Sequence, residues 1–165
     1  MKRLSAIVGA ILMAFSLQLA AETRIGVVDL RQALFSSNDA QSFSDKLQQD
    51  FAGEEAKVRE AQEQARRLKD RIEKDGAMMN ESERNKLTGE FQEKVQEFNF
   101  LKQRLDQTVA QRKQQFLENA RPEVDAAVKE LLEEHNLDLI LPSEAVVYVK
   151  PEMNLTAELL EKLNR

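Results

Sequence analysis

Two long stretches of the sequence carry apolar residues at steps of three and four, and they meet at a short breaker, residues 75–80. This spacing places one narrow apolar stripe along a helix, as in a coiled-coil seam. We call these residues the seam: Leu47, Phe51, Val58, Ala61, Ala65, Leu68 and Ile72 in the first stretch, and Leu87, Phe91, Val95, Phe98, Leu101, Leu105, Val109 and Phe116 in the second. The pattern predicts an antiparallel helical hairpin with arms roughly 55–60 Å long at about 1.5 Å per residue. Such a hairpin buries one apolar stripe and leaves the rest of its surface exposed to water, which argues against catalysis for most of this protein.

The first 21 residues have the features of a secretory signal peptide. Lys2 and Arg3 form a positively charged n-region, Ala6–Phe15 is an unbroken apolar run, and residues 19–21 end in the small residues of a cleavage site. A membrane anchor is the alternative, but the apolar run is about half of the ~20 residues that a span needs. We therefore expect cleavage after Ala21, a secreted or periplasmic mature protein from residue 22, and no membrane span in that mature chain.

Charge is distributed unevenly between the two parts of the mature chain. The predicted arm, residues 38–121, holds 16 basic and 17 acidic residues, whereas the flanking residues hold 6 basic and 12 acidic ones. This balance argues against nucleic acid as a partner, because nucleic-acid binding needs a basic face. The chain has no cysteine, so a secreted form must be stabilised by packing or assembly rather than by disulfides.

Residues 22–37 and 122–165 are expected to form a small α/β hub at the base of the arm. The predicted elements are a strand at 25–28, a helix at 30–35, a helix at 124–134, strands at 137–141 and 145–149, and a last helix at 157–163. The fold class is therefore mostly α with a small β part (α+β). About 60 residues rarely make a comfortably stable core alone, and bare apolar strand edges are usually covered. We thus expect an oligomerisation hub whose core and assembly candidates are Ile25, Val27, Leu139, Leu141, Val147 and Val149.

Local signals mark the ends of the predicted helices. Asn80 followed by Glu83 is a capping-box arrangement that should start the second arm helix. Gly76 suits a left-handed C-cap that ends the first arm helix. Pro122 can either open a new helix or kink a continuous one, and we favour the kinked continuation.

The sequence offers little for catalysis or metal binding. Asp29 follows an apolar strand, where a catalytic acid often lies, but Gln32 three residues on favours an N-cap. His135, the only histidine, stands at a predicted helix end, and one histidine without cysteine cannot make a typical zinc site. No glycine-rich phosphate loop is present. We predict a protein that is not an enzyme and that uses no cofactor, metal or nucleotide.

Three apolar residues do not fit the seam. Phe100 lies about 200° around the helix from Phe98 at about 100° per residue, and Met78 and Met79 sit at the predicted tip. They are either scattered exposed hydrophobic residues, which are normal on any surface, or a weak, adaptable apolar surface.

The arrangement resembles the Skp (OmpH-like) family of periplasmic chaperones over essentially all of residues 22–165. The resemblance rests on the strand at 25–29, the charged hairpin, the segments 137–141 and 145–149, and the ending at 154–160. It implies a homotrimer with a small β-rich hub, three helical tentacles and a cavity that holds unfolded outer-membrane proteins without ATP. Met78, Met79 and Phe100 would then be the candidate contacts for these clients.

The chain departs from that family in its charge. Familiar members are basic, whereas this chain is acidic and its arm is almost neutral, which argues against attraction of lipopolysaccharide. Two functions follow from the sequence: a holdase that prevents aggregation of unfolded outer-membrane proteins, and a structural coiled-coil adaptor in an envelope complex.

Overall fold

The computed structural model describes residues 23–165, so the predicted signal peptide lies outside the described residues. The helices and strands, in chain order, are β1 Ile25–Val28, α1 Leu30–Ser36, α2 Asn38–Asp75, α3 Glu81–Glu134, β2 Leu139–Pro142 and α4 Thr156–Leu163. Single 3-10 turns occupy Ser143–Ala145 and Pro151–Met153. The predicted class, mostly α with a small β part, is confirmed.

Helices α2 and α3 pack against each other along their length as the predicted antiparallel hairpin. Near the hub, the rings of Phe43 and Phe116 stack with their centroids 4.5 Å apart. Farther out, Phe51 and Leu105 line the same small cavity between the helices. At 1.5 Å per residue, the 38 residues of α2 span about 57 Å.

Every seam residue is buried or half-buried, as the periodicity predicts. Ala61, Ala65 and Leu87 are almost fully buried, whereas the larger seam side chains remain half-buried. Two helices alone can cover only one stripe of each other, so the flanks of a large side chain stay accessible to water. The seam holds the hairpin together without forming a closed core.

Polar side chains cap the starts of both arm helices. Ser37 is 2% exposed, and its hydroxyl accepts a hydrogen bond from the Ala40 backbone N–H at 3.2 Å. At the tip, the Glu83 backbone N–H donates to Asn80 Oδ1 and the Asn80 backbone N–H donates to Glu83 Oε2. The predicted capping box at Asn80 is therefore confirmed.

The predicted left-handed C-cap at Gly76 is wrong. Gly76 has φ −58° and ψ −28°, which is right-handed, and its N–H continues the helical pattern to the Ile72 carbonyl at 3.0 Å. A Cβ built at this position would collide with that same carbonyl oxygen. Glycine is suited to this turn because the Ile72 carbonyl oxygen leaves no room for a Cβ, not because the backbone needs a positive φ.

Helix α3 continues through Pro122 and ends only at Glu134, so the predicted continuation is confirmed, while the predicted kink at Pro122 stays a prediction. The left-handed residue that ends a helix is found here, at Asn136, with φ 49°. The Asn136 N–H donates to the Glu133 carbonyl and the Leu137 N–H donates to the Leu132 carbonyl. These two bonds form a Schellman motif, which turns the chain sharply toward β2.

The hub sheet brings distant parts of the sequence together. Strand β1 pairs in parallel with β2, with Ile25 opposite Leu139. On the other side of β1, the Leu155 N–H donates to the Val27 carbonyl at 2.8 Å. Strand β1 is therefore the middle element, and the whole hairpin is inserted between two neighbouring strands.

The hub core lies between this sheet, α1, α4 and the end of α3. It consists of Val28, Ala33, Ala127, Leu131, Leu155, Leu159 and Leu163. Of the residues predicted for the hub core or assembly, Val27 is buried, while Ile25, Leu141 and Val149 are half-buried. Leu139 is 43% exposed and Val147 is fully exposed. Neither of these two residues belongs to the core of a single chain.

The predicted strand at 145–149 is wrong for this chain. Ser143–Ala145 is a 3-10 turn, and within residues 23–165 the following segment has no strand partner. Val146 does have extended backbone angles, but an extended segment becomes a strand only when a neighbour accepts its hydrogen bonds. Residues 145–149 therefore have the apolar alternation of a strand but no neighbouring strand to pair with.

The first prediction compares two phenylalanines that stand two positions apart in α3. Phe98 is half-buried in the seam and Phe100 is 63% exposed. Phe98→Ser should destabilise the hairpin by roughly 2 kcal/mol, because apolar packing is lost and a hydroxyl replaces it. Phe100→Ser should change stability by less than about 0.5 kcal/mol. Thermal unfolding followed by circular dichroism at 222 nm measures both, and equal melting temperatures for the two variants would contradict the seam assignment.

Candidate interaction surfaces

The structure does not bring the three candidate client-contact residues together. Met78 at the tip is 83% exposed, whereas Phe100 lies 20 positions beyond Asn80, which corresponds to roughly 30 Å of helix. Met79 is half-buried and lines a cavity of about 280 Å³ with Leu87 and Arg71. These residues are dispersed contacts along the arm, not one pocket.

Ion pairs between neighbouring turns occur on both arm helices. In the most basic stretch, Arg67 lies 3.6 Å from Glu63 and Lys69 lies 3.6 Å from Glu73. On α3, Lys94 donates to Glu97 at 2.7 Å, and this hydrogen bond raises the pKa of Lys94. Each exposed pair contributes little stability. The arm has no strong net charge of either sign because its 16 basic and 17 acidic residues balance.

Three large apolar side chains of the hub, which we call the exposed hub segment, face water: Leu139, Val147 and Tyr148. Val147 is fully exposed and Tyr148 is 81% exposed. Strand β2 pairs with β1 along one edge, and its other edge has no strand partner among the described residues. Tyr148 is missing from the residues predicted from sequence, although it stands directly between Val147 and Val149. Exposed large apolar side chains and unpaired strand edges are both features that proteins usually cover.

A buried lysine joins the last helix to the end of the arm helix. The Lys162 side chain is 4% exposed and its Nζ lies 2.7 Å from Glu134 Oε1 and 3.1 Å from Glu130 Oε2. Sequence reasoning missed this cluster. The available signal is the position of Lys162 beside Leu159 and Leu163 on a short amphipathic helix, where a lysine must find carboxylates or reach water.

This cluster perturbs the pKa values of its members in opposite directions. The hydrogen bond from Lys162 lowers the pKa of Glu134 below its usual 4.5, although burial opposes the change. The hydrogen bond to Glu134 raises the pKa of Lys162 above its usual 10.5, again against burial. The Glu134 contribution is therefore present above pH 4.5 and is lost as the pH falls through its folded-state pKa. The Lys162 contribution is present below pH 10.5 and is lost as the pH rises through its folded-state pKa.

Asp29 serves as a helix cap, as the sequence predicts. Its Oδ1 accepts from the Gln32 N–H at 2.7 Å, and its own N–H donates to Thr156 Oγ1 at 2.9 Å. The Thr156 hydroxyl in turn donates to Asn154 Oδ1 at 2.7 Å. These bonds fix the start of α4 against the end of β1.

His135 also has a structural contact, since its Nε2 lies 2.7 Å from Glu158 Oε2. Within residues 23–165, no group of three acidic or histidine side chains could hold a metal ion.

None of the helices in that range combines the length and the apolar character that a membrane crossing requires.

The fold and these surfaces define a class of protein: a long helical hairpin that projects from a small α/β hub. The sequence pattern of one family, described as Outer membrane protein (OmpH-like), matches residues 24–163. The chain belongs to this family.

Named relatives and a solved structure agree with that assignment. The chain is 28% identical over 145 residues to the Skp-like protein of Pseudomonas aeruginosa, covering 88% of this chain and 86% of that protein. It is 25% identical over 143 residues to the chaperone protein Skp of Vibrio cholerae, covering 87% and 85%. The crystal structure of an OmpH-like protein from Caulobacter crescentus CB15 superposes with a TM-score of 0.62 at 14% identity, over 87% of this chain and 85% of that one. That structure supports the fold.

The second prediction concerns the cluster around Lys162. Glu134→Gln should lower the melting temperature at pH 7, because the lysine loses its closest carboxylate. The difference from wild type should disappear as the pH falls through the folded-state pKa of Glu134, since the wild-type carboxyl is then also neutral. Glu133→Gln, at an exposed neighbouring position, is the matched control. Thermal unfolding at several pH values provides the measurement; a Glu134→Gln deficit that persists unchanged at low pH would rule out this cause.

Proposed function

We propose that this protein is a periplasmic holdase chaperone. It binds unfolded outer-membrane proteins and prevents their aggregation without ATP, a metal ion or catalytic chemistry. Membership of the OmpH-like family, whose named relatives include chaperones, supports the class of function. The signal-peptide pattern in residues 1–21 supports the periplasm as its location.

The shape of the arm is the observation that carries this proposal. Unfolded chains present no fixed shape, so a receptor for them needs contacts that are weak, dispersed and easily remade. The exposed apolar residues Met78 and Phe100 are separated along the hairpin by roughly 30 Å of helix. An enzyme needs the opposite arrangement, in which several reactive groups converge on one point.

We also propose that the working form is an oligomer, with the trimer of the family as the expected state. The exposed hub segment supports association, because Val147 is fully exposed, Tyr148 is 81% exposed, and one edge of β2 has no strand partner among the described residues. A second copy would cover these side chains and would leave the arms projecting from a shared hub. The arms could then surround a client from several sides.

A charge placed in the exposed hub segment tests this proposal. Val147→Asp should lower the mass measured by light scattering at micromolar concentration, because association would bury an unpaired carboxylate. Gln92→Asp, at an exposed position on the arm, introduces the same group far from the hub and should leave the mass unchanged. Wild-type protein that is a stable monomer under these conditions would contradict the oligomer.

The holdase activity is tested with a denatured outer-membrane barrel protein diluted into buffer. Wild type should suppress the rise in light scattering without ATP and in the presence of EDTA. Replacement of Met78, Met79 and Phe100 by Ser should weaken this suppression several-fold while helix content and mass stay unchanged. The matched control replaces Ala77, Asn99 and Gln103 by Ser, which alters exposed neighbouring positions without removing large apolar groups.

The results also separate the holdase from the adaptor. A holdase should protect several unrelated unfolded barrel proteins, whereas an adaptor should bind one folded partner in fixed stoichiometry. Failure of the wild type to protect any of these barrel proteins would overturn the proposal. Equal protection by the triple variant and the wild type would place client contact elsewhere on the molecule.

A further inference from the structure

A groove at the base of the arm was not predicted from the sequence, although two of its lining residues, Leu47 and Phe116, belong to the seam. It is a cavity of about 410 Å³ formed where the end of α1 meets the first turns of α2 and the facing part of α3. We call it the arm-root groove, and the residues that matter for its chemistry are Phe35, Phe43, Leu47, Lys113, Phe116 and Leu117.

Apolar side chains, three of them aromatic, form most of the walls of this groove. Of the seven phenylalanines in residues 23–165, three line it. Phe43 and Phe116 stack at 4.5 Å with an interplanar angle of 16°. Phe35 on α1 is 56% exposed and Leu117 is 40% exposed. The groove therefore has a fixed aromatic pair together with two large apolar side chains that still face water.

One cation belongs to the same groove. Lys113 lines it, and no carboxylate of the described residues lies within 4.0 Å of its ammonium group. Several other lysines on the arm do have such a partner, including Lys69, Lys94 and Lys102. The charge beside the apolar walls is therefore available to an anionic group of a ligand.

The groove is distinct from the surface that we assign to association. Its lining comes from α1, α2 and α3, whereas the exposed hub segment belongs to β2 and the residues after the 3-10 turn. Covering one surface does not require covering the other.

We propose that the arm-root groove binds an aromatic side chain of an unfolded client, at a place where the next client residue is Asp or Glu. This proposal rests on the holdase function and names a preferred segment of its clients. A client ring would meet Phe35 and the Phe43–Phe116 pair, and aromatic rings attract each other at centroid separations of about 4.5–7 Å. The adjacent carboxylate would pair with Lys113, which distinguishes such a segment from a purely apolar one.

Short fluorescein-labelled peptides, in which polar residues flank a variable central pair, test this preference by fluorescence anisotropy. One peptide carries Phe–Asp at its centre, a second carries Phe–Asn and a third carries Ala–Asp. Wild-type protein should bind the Phe–Asp peptide about tenfold more tightly than the Ala–Asp peptide, since a largely buried ring is lost. The advantage over the Phe–Asn peptide should be about twofold, as for a solvent-exposed ion pair, and should vanish at high salt.

Substitutions in the groove should remove these preferences separately. Phe35→Gln with Leu117→Gln should abolish the preference for Phe over Ala. Lys113→Gln should abolish the preference for Asp over Asn. Arg112→Gln removes a neighbouring exposed cation that does not line the groove, and it should keep both preferences. Circular dichroism and light scattering establish whether helix content and mass are unchanged.

Photo-crosslinking tests the location even where a variant folds poorly. A peptide with benzoylphenylalanine in place of Phe should attach to wild-type protein at positions 35 and 113–117. Attachment confined to the tip or to the surroundings of Phe100 would overturn the groove assignment. So would equal wild-type binding of the Phe–Asp and Ala–Asp peptides.

Two further outcomes separate this proposal from the others. If Phe35→Gln with Leu117→Gln lowers the oligomer mass, the groove is a contact between copies and the client assignment is overturned. If wild-type protein protects denatured barrel proteins but shows no peptide preference, the groove assignment falls while the holdase function stands. If wild type protects no client at all, both proposals fall.

Discussion

The structure depends on a geometric limit: two helices can bury only one stripe of each other. The seam of α2 and α3 reaches near-complete burial only where Ala61 and Ala65 let the helices approach and where Leu87 is enclosed. Elsewhere the large seam side chains are half-covered. The remaining arm surface must therefore be polar, and it is covered by exposed ion pairs between neighbouring turns. Most of the arm surface is therefore accessible to water along its whole length.

The hub compensates for this open arrangement by using part of the arm helix in its core. Ala127 and Leu131, near the end of α3, pack with Val28 of β1 and with the leucines of α4. Gly26 permits close packing at the same sheet, because a Cβ there would lie 2.7 Å from Leu137 Cδ1. Arm and hub are therefore coupled through one continuous helix. Any change that weakens the hub should also loosen the base of the arm.

Much of the arm could be predicted from the sequence because its determinants are local. The three-and-four spacing specifies the seam, and short-range pairs such as Asn80 with Glu83 specify where a helix starts. The position of Phe100 outside the seam follows from the same periodicity, and its exposure agrees. Gly76 shows the limit of this reasoning, since glycine can serve either a positive φ or a close backbone approach, and the sequence does not distinguish them.

The hub was harder to predict because its contacts join residues more than 100 positions apart, such as Val28 and Leu155. The spacing of four in Leu155, Leu159 and Leu163 does indicate a buried helix face, and it could have identified this core. The segment after Ala145 shows the opposite problem. Its composition favours a strand, but pairing requires a neighbour that one chain does not supply. The arm-root groove was missed because its lining comes from three helices, each of which has an unremarkable sequence there.

The two helices of the arm are attached to the hub in different ways. Helix α2 begins at Asn38, and the extended residue Ser37 separates it from α1, whereas α3 runs unbroken through Pro122 into the hub core. Helix α3 is therefore held rigidly at its hub end, whereas α2 is joined to α1 through a single non-helical residue. A sideways force on the tip of the hairpin must therefore bend α3 and slide α2 along the surface of α3. The shear would fall first on the half-covered part of the seam, where the helices are least tightly interlocked.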